Sequence, residues 1–185
     1  MYLAVQYARA MAAGLSAPAR SILEPVRVEL QAAPSLCDAL GHINNARYLD
    51  LIGVGRARWF ARMGLGPSLL RGRYAFPIAG AAITYRREIP RWARFALETR
   101  LVEYDARWVC FLSSFELVQH GEVRVAARAL TRGQLRKQDG SGSLPALLAS
   151  LQREAEACRP LPADVIEQLK AQDLTVDVIR RQEGR

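Results

Sequence analysis

The chain has 185 residues, a formal net charge of +8 and a sequence that is half hydrophobic. This length and composition suit one domain with a sizeable core, and they exclude an intrinsically disordered chain. No apolar run approaches the roughly 20 residues that are needed to cross a bilayer. The charge predicts attraction to anions, but no basic cluster alternates with aromatic residues, so we expect no nucleic-acid partner.

The N-terminal segment Met1–Leu15 has the pattern of an amphipathic helix. A secretory signal peptide is disfavoured because no basic residue precedes the apolar part, and Gln6 and Arg9 interrupt it. We expect the helix to pack on the domain, with peripheral contact to a membrane surface as the alternative.

Cysteine and histidine usage predicts neither disulfides nor a metal site. The three cysteines, Cys37, Cys110 and Cys158, are odd in number and widely spaced, which favours reduced thiols and a cytoplasmic location. The histidines, His42 and His120, are far apart in sequence, so we expect no bound metal.

The first half of the domain reads as a strand, a loop and a long helix. Alternating apolar and polar residues predict a strand over Val26–Gln31. A loop follows over Ala32–His42, and Asn44–Met63 predicts a helix with Asn44 as its N-cap. This helix is apolar on nearly every face and should therefore be enclosed by other structure.

Two glycines, Gly53 and Gly55, interrupt the predicted helix. Each costs about 1 kcal/mol relative to alanine in a helix. We therefore expect another backbone to approach the helix closely at this point.

The second half alternates as strands do. Short connections between these strands predict that sequential strands are antiparallel neighbours, with the helix against the inner face of their sheet. The predicted strands are Phe76–Ile89, which Pro90 ends, Phe95–Val102, Val109–Glu116 and Val123–Leu130.

The C-terminal region begins with a turn-rich linker, Asp139–Ser143. Helical patterns follow over Leu144–Cys158 and Ala163–Lys170, and this tail either packs on the domain or extends from it. The predicted organisation is an N-terminal helix with its connection (1–24), a central domain (25–138) and a linker with a helical tail (139–185).

The segment Cys37–Tyr48, CDALGHINNARY, carries the candidate chemistry. Asp38 lies on a glycine-containing loop just before a helix N-terminus. Backbone N–H groups at such a terminus can polarise a carbonyl oxygen, and a nearby carboxylate can attack the carbonyl carbon or activate water. An acyl-transfer site and a simple turn or cap role for Asp38 are both compatible with this pattern.

The pattern D-x-x-G-H-x-N-N-x-R-Y, followed by a long apolar helix, resembles the signature of hotdog-fold acyl-CoA thioesterases. The similarity is to the 4-hydroxybenzoyl-CoA thioesterase-like branch, including thioesterase superfamily member 6-like proteins. ITYRREIP and LETRLVEYDARWVCFLSSFEL also resemble this branch. The resemblance implies an α+β hotdog fold, in which an antiparallel sheet wraps a long central helix, with added N- and C-terminal helices here.

The resemblance also implies roles for residues in this segment. Asp38 matches the carboxylate that acts as nucleophile or general base, and Asn45 matches the position whose backbone N–H polarises the thioester carbonyl. Other hotdog thioesterases place an acid two turns into the central helix. That position is near Gly53 here, and Asp50 is expected to be only a solvated or paired residue. The residues expected to bind substrate or shape its site are Gly41, His42, Asn44, Tyr48, Arg86 and Arg87.

The implied function is hydrolysis of an acyl-CoA to the free acid and CoA, in lipid metabolism, without a cofactor. An acyl carrier protein could replace CoA, and a homodimer or homotetramer paired edge to edge through its sheets is implied. Further basic residues could meet the CoA phosphates at a cleft mouth: Arg91, Arg94, Arg136 and Lys137. The alternative is a non-catalytic acyl-CoA-binding or scaffold protein on the same fold.

Overall fold

The computed structural model describes residues 1–17, 21–119, 121–137, 139–151, 156–158, 163, 165–167 and 171. A five-stranded antiparallel sheet with the strand order β1-β4-β5-β6-β3 forms its centre. The strands are β1 (Val26–Gln31), β2 (Tyr74–Ala75), β3 (Ile78–Tyr85), β4 (Arg94–Tyr104), β5 (Val109–Gln119), β6 (Glu122–Gly133) and β7 (Arg136–Lys137). The helices are α1 (Tyr2–Leu15), α2 (Arg47–Arg62), α3 (Gly66–Leu70) and α4 (Leu144–Ser150), with a short 3₁₀ turn at Pro34–Leu36.

The sheet confirms the predicted strands but corrects one pairing. β4, β5 and β6 are sequential antiparallel neighbours, as predicted. β3 and β4 are also sequential, yet β3 pairs with β6 and β4 pairs with β1. The segment between them contains Pro90 and is bound to the loop before α2, because Ile43 N–H donates to the Ile89 carbonyl at 2.9 Å and Arg91 N–H to the Gly41 carbonyl at 2.8 Å. It therefore crosses the end of the sheet instead of forming a hairpin.

α2 is enclosed as its composition predicted. Its sheet-facing residues are fully buried, including Leu51, Ile52 and Trp59. The helix begins later than predicted, at Arg47 with Ala46 as N-cap. Asn44 still satisfies a backbone donor there, because its Oδ1 accepts the N–H of Ala46 at 2.9 Å. The prediction of Asn44 as the N-cap was therefore wrong by two positions, although its side chain does close the turn that leads into the helix.

The space beside each of the two glycines of α2 is filled by a side chain from another element, not by a backbone segment as we predicted. A Cβ at Gly55 would lie 2.2 Å from Oγ1 of Thr99 on β4. A Cβ at Gly53 would lie 1.8 Å from the hydroxyl oxygen of Tyr7 on α1. Backbone contact occurs elsewhere, at Gly14 of α1, where a Cβ would lie 2.7 Å from the Arg58 carbonyl oxygen. Missing side chains on both helices thus let α1 and the sheet close on α2.

Both terminal helices pack on the sheet-and-helix core. α1 packs along α2, as expected if the N-terminal helix packs on the domain. α4 buries Leu144, Leu147 and Leu148, so this part of the tail is packed. α4 ends at Ser150, and the rest of the predicted helix to Cys158, like most of Ala163–Lys170, lies outside the described residues. In the described part of the chain, no helix combines the length and apolarity needed to span a bilayer.

The contact between Gly55 and Thr99 gives a prediction about stability. Gly55→Ala should lower the free energy of unfolding by about 1–3 kcal/mol, because overpacking the buried helix–sheet contact outweighs the gain of about 1 kcal/mol in helix propensity. Urea unfolding measures this change. Thr99→Ala should restore part of the loss in the double variant, since it removes the oxygen that the new Cβ meets. A Gly55→Ala protein as stable as the parent contradicts the packing described here.

Candidate active site

The segment from Leu36 to Asn44 forms a narrow hairpin before α2. Cys37 and Ile43 form an antiparallel bridge, and the N–H of Asn44 donates to the Leu36 carbonyl at 2.9 Å. At the tip, Gly41 takes φ of +83°, a conformation that favours glycine. The hairpin therefore fixes Asp38 on one strand relative to the start of α2 on the other.

The Asp38 carboxylate is ordered by its own loop. Its Oδ1 accepts the N–H of Leu40 at 3.0 Å, which is the geometry of an Asx turn. Its Oδ2 lies 3.7 Å from Nδ1 of His42, and 26% of the side chain is exposed. The carboxylate is thus held by one strong hydrogen bond and keeps an accessible second oxygen.

His42 lies between two carboxylates. Its Nδ1 is 3.7 Å from Asp38 Oδ2 and 3.4 Å from the Ile43 carbonyl oxygen, while Nε2 is 3.7 Å from Glu88 Oε1. His42 also bridges to Pro90 through the backbone. These contacts join the Asp38 loop to the segment after β3 and agree with the expected loop-locking role.

The peptide between Asn44 and Asn45 is oriented by the start of α2. The Asn44 carbonyl accepts the N–H of Arg47 at 2.9 Å, so the N–H of Asn45 on the same peptide points the opposite way, out of the helix. Within the described ranges, the Asn45 N–H meets no acceptor. This free donor lies at the positive end of the α2 dipole, the place where an anion is stabilised.

Two tyrosines support this end of the helix. The hydroxyl of Tyr85, at the end of β3, donates to the Asn45 carbonyl at 3.1 Å. Tyr48 is 2% exposed and packs edge to face on Tyr85 and Phe115, with ring centroids 5.1 and 4.7 Å away. Burial raises the pKa of Tyr48 to about 12, so its hydroxyl stays neutral. Tyr48 therefore belongs to the core, where its ring packs against that of Tyr85.

Of the predicted basic residues, Arg94 begins β4 opposite Gln31 of β1, and the others divide into two groups. Arg86 and Arg87 follow Tyr85 directly, and both of their N–H groups donate to the Ala126 carbonyl, at 2.8 and 3.0 Å. Arg91 donates its N–H to Gly41 and so also borders the Asp38 loop. Arg136 and Lys137, in contrast, pair with β2 beyond the far end of β3. The structure therefore brings the first group to the candidate site and leaves the second away from it.

Asp50 has the role that we expected. Its Oδ2 lies 3.0 Å from Nη1 of Arg47 in an ion pair on the first turn of α2. Position 53 has no side chain, and the Tyr7 hydroxyl of α1 fills its space. Asp38 is therefore the carboxylate near the N-terminus of α2 that the sequence motif predicts to be catalytic.

Sequence reasoning missed the supporting roles of Tyr85 and Glu88. Both lie in ITYRREIP, a stretch that carried part of the resemblance, but their position beside Asn45 and His42 depends on the crossing between β3 and β4. The short connection between these strands predicted that they would be antiparallel neighbours. No local signal in the sequence indicates which loop this segment meets.

Comparison with known proteins gives the family. The sequence profile described as Thioesterase-like superfamily matches residues 33–169. The protein THEM6 of Xenopus laevis is 27% identical over 152 residues, which cover 82% of this chain and 70% of the frog protein. The protein THEM6 of Drosophila melanogaster is 32% identical over 87 residues, covering 46% of this chain and 45% of the fly protein. The match to the fly protein thus covers less than half of either chain.

Solved structures give the fold. A 1,4-dihydroxy-2-naphthoyl-CoA thioesterase from Synechocystis superposes with a TM-score of 0.56 and 18% identity, covering 69% of this chain and 94% of that chain. The central helix, the antiparallel sheet around it and the strand order agree with the hotdog architecture that the sequence motif implied. Since the family profile spans most of its length, the chain belongs to the thioesterase-like superfamily and has the hotdog fold.

Proposed function

We propose that this protein is an acyl-CoA thioesterase, with Asp38 as nucleophile or general base and the backbone N–H of Asn45 as the oxyanion donor. The single observation that carries the proposal is the free, outward N–H of Asn45, which the same hairpin holds near the partly exposed Asp38 carboxylate. From the strand rise, their backbones are about 10 Å apart, which leaves room for a thioester between their groups.

In the proposed reaction, the thioester carbonyl oxygen accepts a hydrogen bond from the Asn45 N–H. Asp38 then removes a proton from a water molecule that attacks the carbonyl carbon, or attacks that carbon itself to form an anhydride that water later opens. Negative charge that develops on the oxygen is stabilised by the N–H and by the helix dipole. The CoA thiolate leaves and takes up a proton, and the free acid is released.

The surroundings of the site support CoA as the carrier. Arg86, Arg87 and Arg91 are exposed at the end of β3 and beside Gly41. Guanidinium groups pair well with phosphate oxygens, and CoA carries several phosphates. The name of the Xenopus relative states no activity, whereas the Synechocystis protein acts on an aromatic acyl-CoA.

A non-catalytic acyl-CoA-binding protein on the same fold is the second candidate. The observation that favours it is the Asx turn, which gives the Asp38 carboxylate a structural role independent of any reaction. The two functions differ in their dependence on a negative charge at position 38, because asparagine can keep the turn but cannot act as base or nucleophile.

We also propose a homodimer formed through β3. This edge strand has no charged residue over Ile78–Tyr85, and both Ile78 and Tyr85 are large, exposed side chains, at 40% and 42%. β1, at the other edge, carries Arg27 and Glu29, which discourage pairing. A second copy paired along β3 would cover the apolar edge and would close the open side of the site near Tyr85.

The catalytic proposal predicts the effect of changing Asp38. Asp38→Asn should lower kcat/KM for acyl-CoA hydrolysis by about 100- to 10,000-fold, with unfolding unchanged, because the Asx turn survives and the base does not. A thiol-release assay over acyl chains of graded length measures the activity, and urea unfolding controls for folding. Full activity in this variant rules out Asp38 as the reacting group. A folded parent that binds acyl-CoA without turnover selects the second candidate.

The oxyanion proposal assigns the role to the backbone of Asn45, not to its side chain. Asn45→Ala keeps the N–H, and the exposed side chain makes no hydrogen bond among the described residues, so kcat should stay within about twofold of the parent. Steady-state kinetics under the same assay measures it. A loss comparable with that of Asp38→Asn would transfer the role to the side-chain amide and overturn this assignment.

The dimer proposal predicts that charges on β3 separate the subunits. Ala82→Lys/Thr84→Lys places two cations on the outer side of the strand, where they repel their copies across the pair. The variant should sediment as a monomer and lose activity. The matched control on the opposite edge, Glu29→Lys/Gln31→Lys, should keep the parent's sedimentation coefficient. If analytical ultracentrifugation gives the two variants the same sedimentation coefficient, β3 is excluded as the interface.

A further inference from the structure

Arg56, in the middle of α2, is a half-buried cation without an acidic partner. None of the ion pairs in the described part of the chain includes it. Its Nη1 donates to Oγ1 of Thr131 at 3.3 Å, and the guanidinium lies 6.0 Å from the ring centroid of Phe76. Burial lowers the pKa of Arg56. A guanidinium carries five N–H donors, and among the described residues one acceptor, Thr131 Oγ1, receives a hydrogen bond from Arg56.

Arg56 lies on the side of α2 that faces β6 and the edge strand β3, since its Nη1 contacts Thr131 and Thr131 pairs with Ala81. Leu49, Gly53 and Arg56 lie on one face of α2, because they are four and three positions apart. The Leu49 side chain on this face is 46% exposed. The strand opposite is the edge strand β3, whose inner-facing residues pair with Ala127, Ala129 and Thr131 of β6. We call this surface the β3 groove, and its lining residues are Leu49, Gly53, Arg56, Ala81, Ile83 and Tyr85.

The β3 groove connects the candidate reaction centre to Arg56. At one end, Tyr85 donates to the Asn45 carbonyl. At the other end, Thr131, which is opposite Ala81, accepts from Arg56. The helix rise from Asn45 to Arg56 gives about 16 Å, and the strand rise from Tyr85 to Ala81 gives about 13 Å. An acyl chain that starts at the Asn45 N–H and follows the groove therefore ends near the guanidinium.

Tyr7 supplies a second polar group to the same part of the groove. Its hydroxyl lies in the space that a side chain at Gly53 would fill, and it donates weakly to the Asp50 carbonyl at 3.4 Å. Tyr7 and Arg56 are close enough to interact electrostatically, and the cation opposes the effect of burial on the pKa of the phenol. α1 thus brings an O–H donor within electrostatic range of the Arg56 guanidinium.

We propose that Arg56, assisted by the Tyr7 hydroxyl, binds a carboxylate at the distal end of the acyl chain, so that the preferred substrates are CoA thioesters of dicarboxylic acids. This inference rests on the proposed thioesterase function, whose reaction centre defines the other end of the groove. The planar guanidinium matches a carboxylate with two parallel hydrogen bonds, and an apolar groove makes such a pair stronger than it is in water.

The experiment compares two substrate series of graded chain length, plain acyl-CoAs and dicarboxylic acid mono-CoA thioesters. The parent should prefer the second series, and Arg56→Met should lower that preference, taken as the ratio of kcat/KM values, by about 10- to 100-fold. Both series are measured on the same variant, so a general change in activity cancels in this ratio. Tyr7→Phe keeps the ring over Gly53 and should lower the ratio by a smaller factor.

The matched control is Arg58→Met. It removes the same charge from the same helix on the opposite face, so it should leave the ratio unchanged. Arg56→Lys keeps a charge but loses the paired geometry, and it should retain only part of the preference. If Arg56→Met does not fold, Arg56→Lys and Tyr7→Phe still test the site.

The outcomes separate this inference from the proposed function. Hydrolysis of plain acyl-CoAs with no preference for the carboxylate, or a preference that Arg56→Met leaves intact, overturns the inference and keeps the function. If the parent hydrolyses neither series, calorimetric binding of non-hydrolysable thioether analogues decides: tighter binding of the carboxylate form that depends on Arg56 supports the site, and equal binding overturns it. Dissociation of a dimer in Arg56→Met without a change in preference assigns Arg56 to a subunit contact and also overturns the site.

Discussion

Enclosure of α2 is the constraint on which the rest of the structure depends. The helix is covered by the sheet on one side and by α1 on another, and glycines at the closest contacts allow both to approach. Because the buried helix cannot shift, its N-terminal N–H groups occupy a fixed position beside the Asp38 hairpin. Burial of apolar surface, not a catalytic interaction, therefore orients the donor at Asn45.

The candidate site is assembled from two stretches that are distant in sequence, the hairpin with the adjoining start of α2 and the crossing after β3. The hairpin before α2 supplies Asp38, the start of α2 supplies the Asn45 N–H, and the crossing after β3 supplies Tyr85 and Glu88. Two backbone hydrogen bonds, from Ile43 N–H to the Ile89 carbonyl and from Arg91 N–H to the Gly41 carbonyl, join the hairpin to the crossing. The site is thus preorganised by main-chain geometry, which costs no reorganisation when charge develops on a bound carbonyl.

α1 changes the chemistry along α2 as well as its packing. Position 53 has no side chain of its own, and the phenol of Tyr7 takes its place. The same contact puts a hydroxyl near Arg56, whose charge no described carboxylate neutralises. The N-terminal helix therefore supplies a polar group where the central helix has none.

The sequence by itself determined the element types, the enclosed helix and the candidate carboxylate. The alternation over Val26–Gln31 and the apolar residues on most faces of α2 reflect which side chains are buried. The periodicity of the sequence therefore predicts both elements directly. The motif around Asp38 is contiguous, so it could be recognised before folding was considered. Tertiary structure alone decided that β3 pairs with β6, that side chains fill the spaces at Gly53 and Gly55, and that Arg56 contacts Thr131 on β6. These features depend on contacts between segments distant in the chain, and neither propensity nor spacing encodes them.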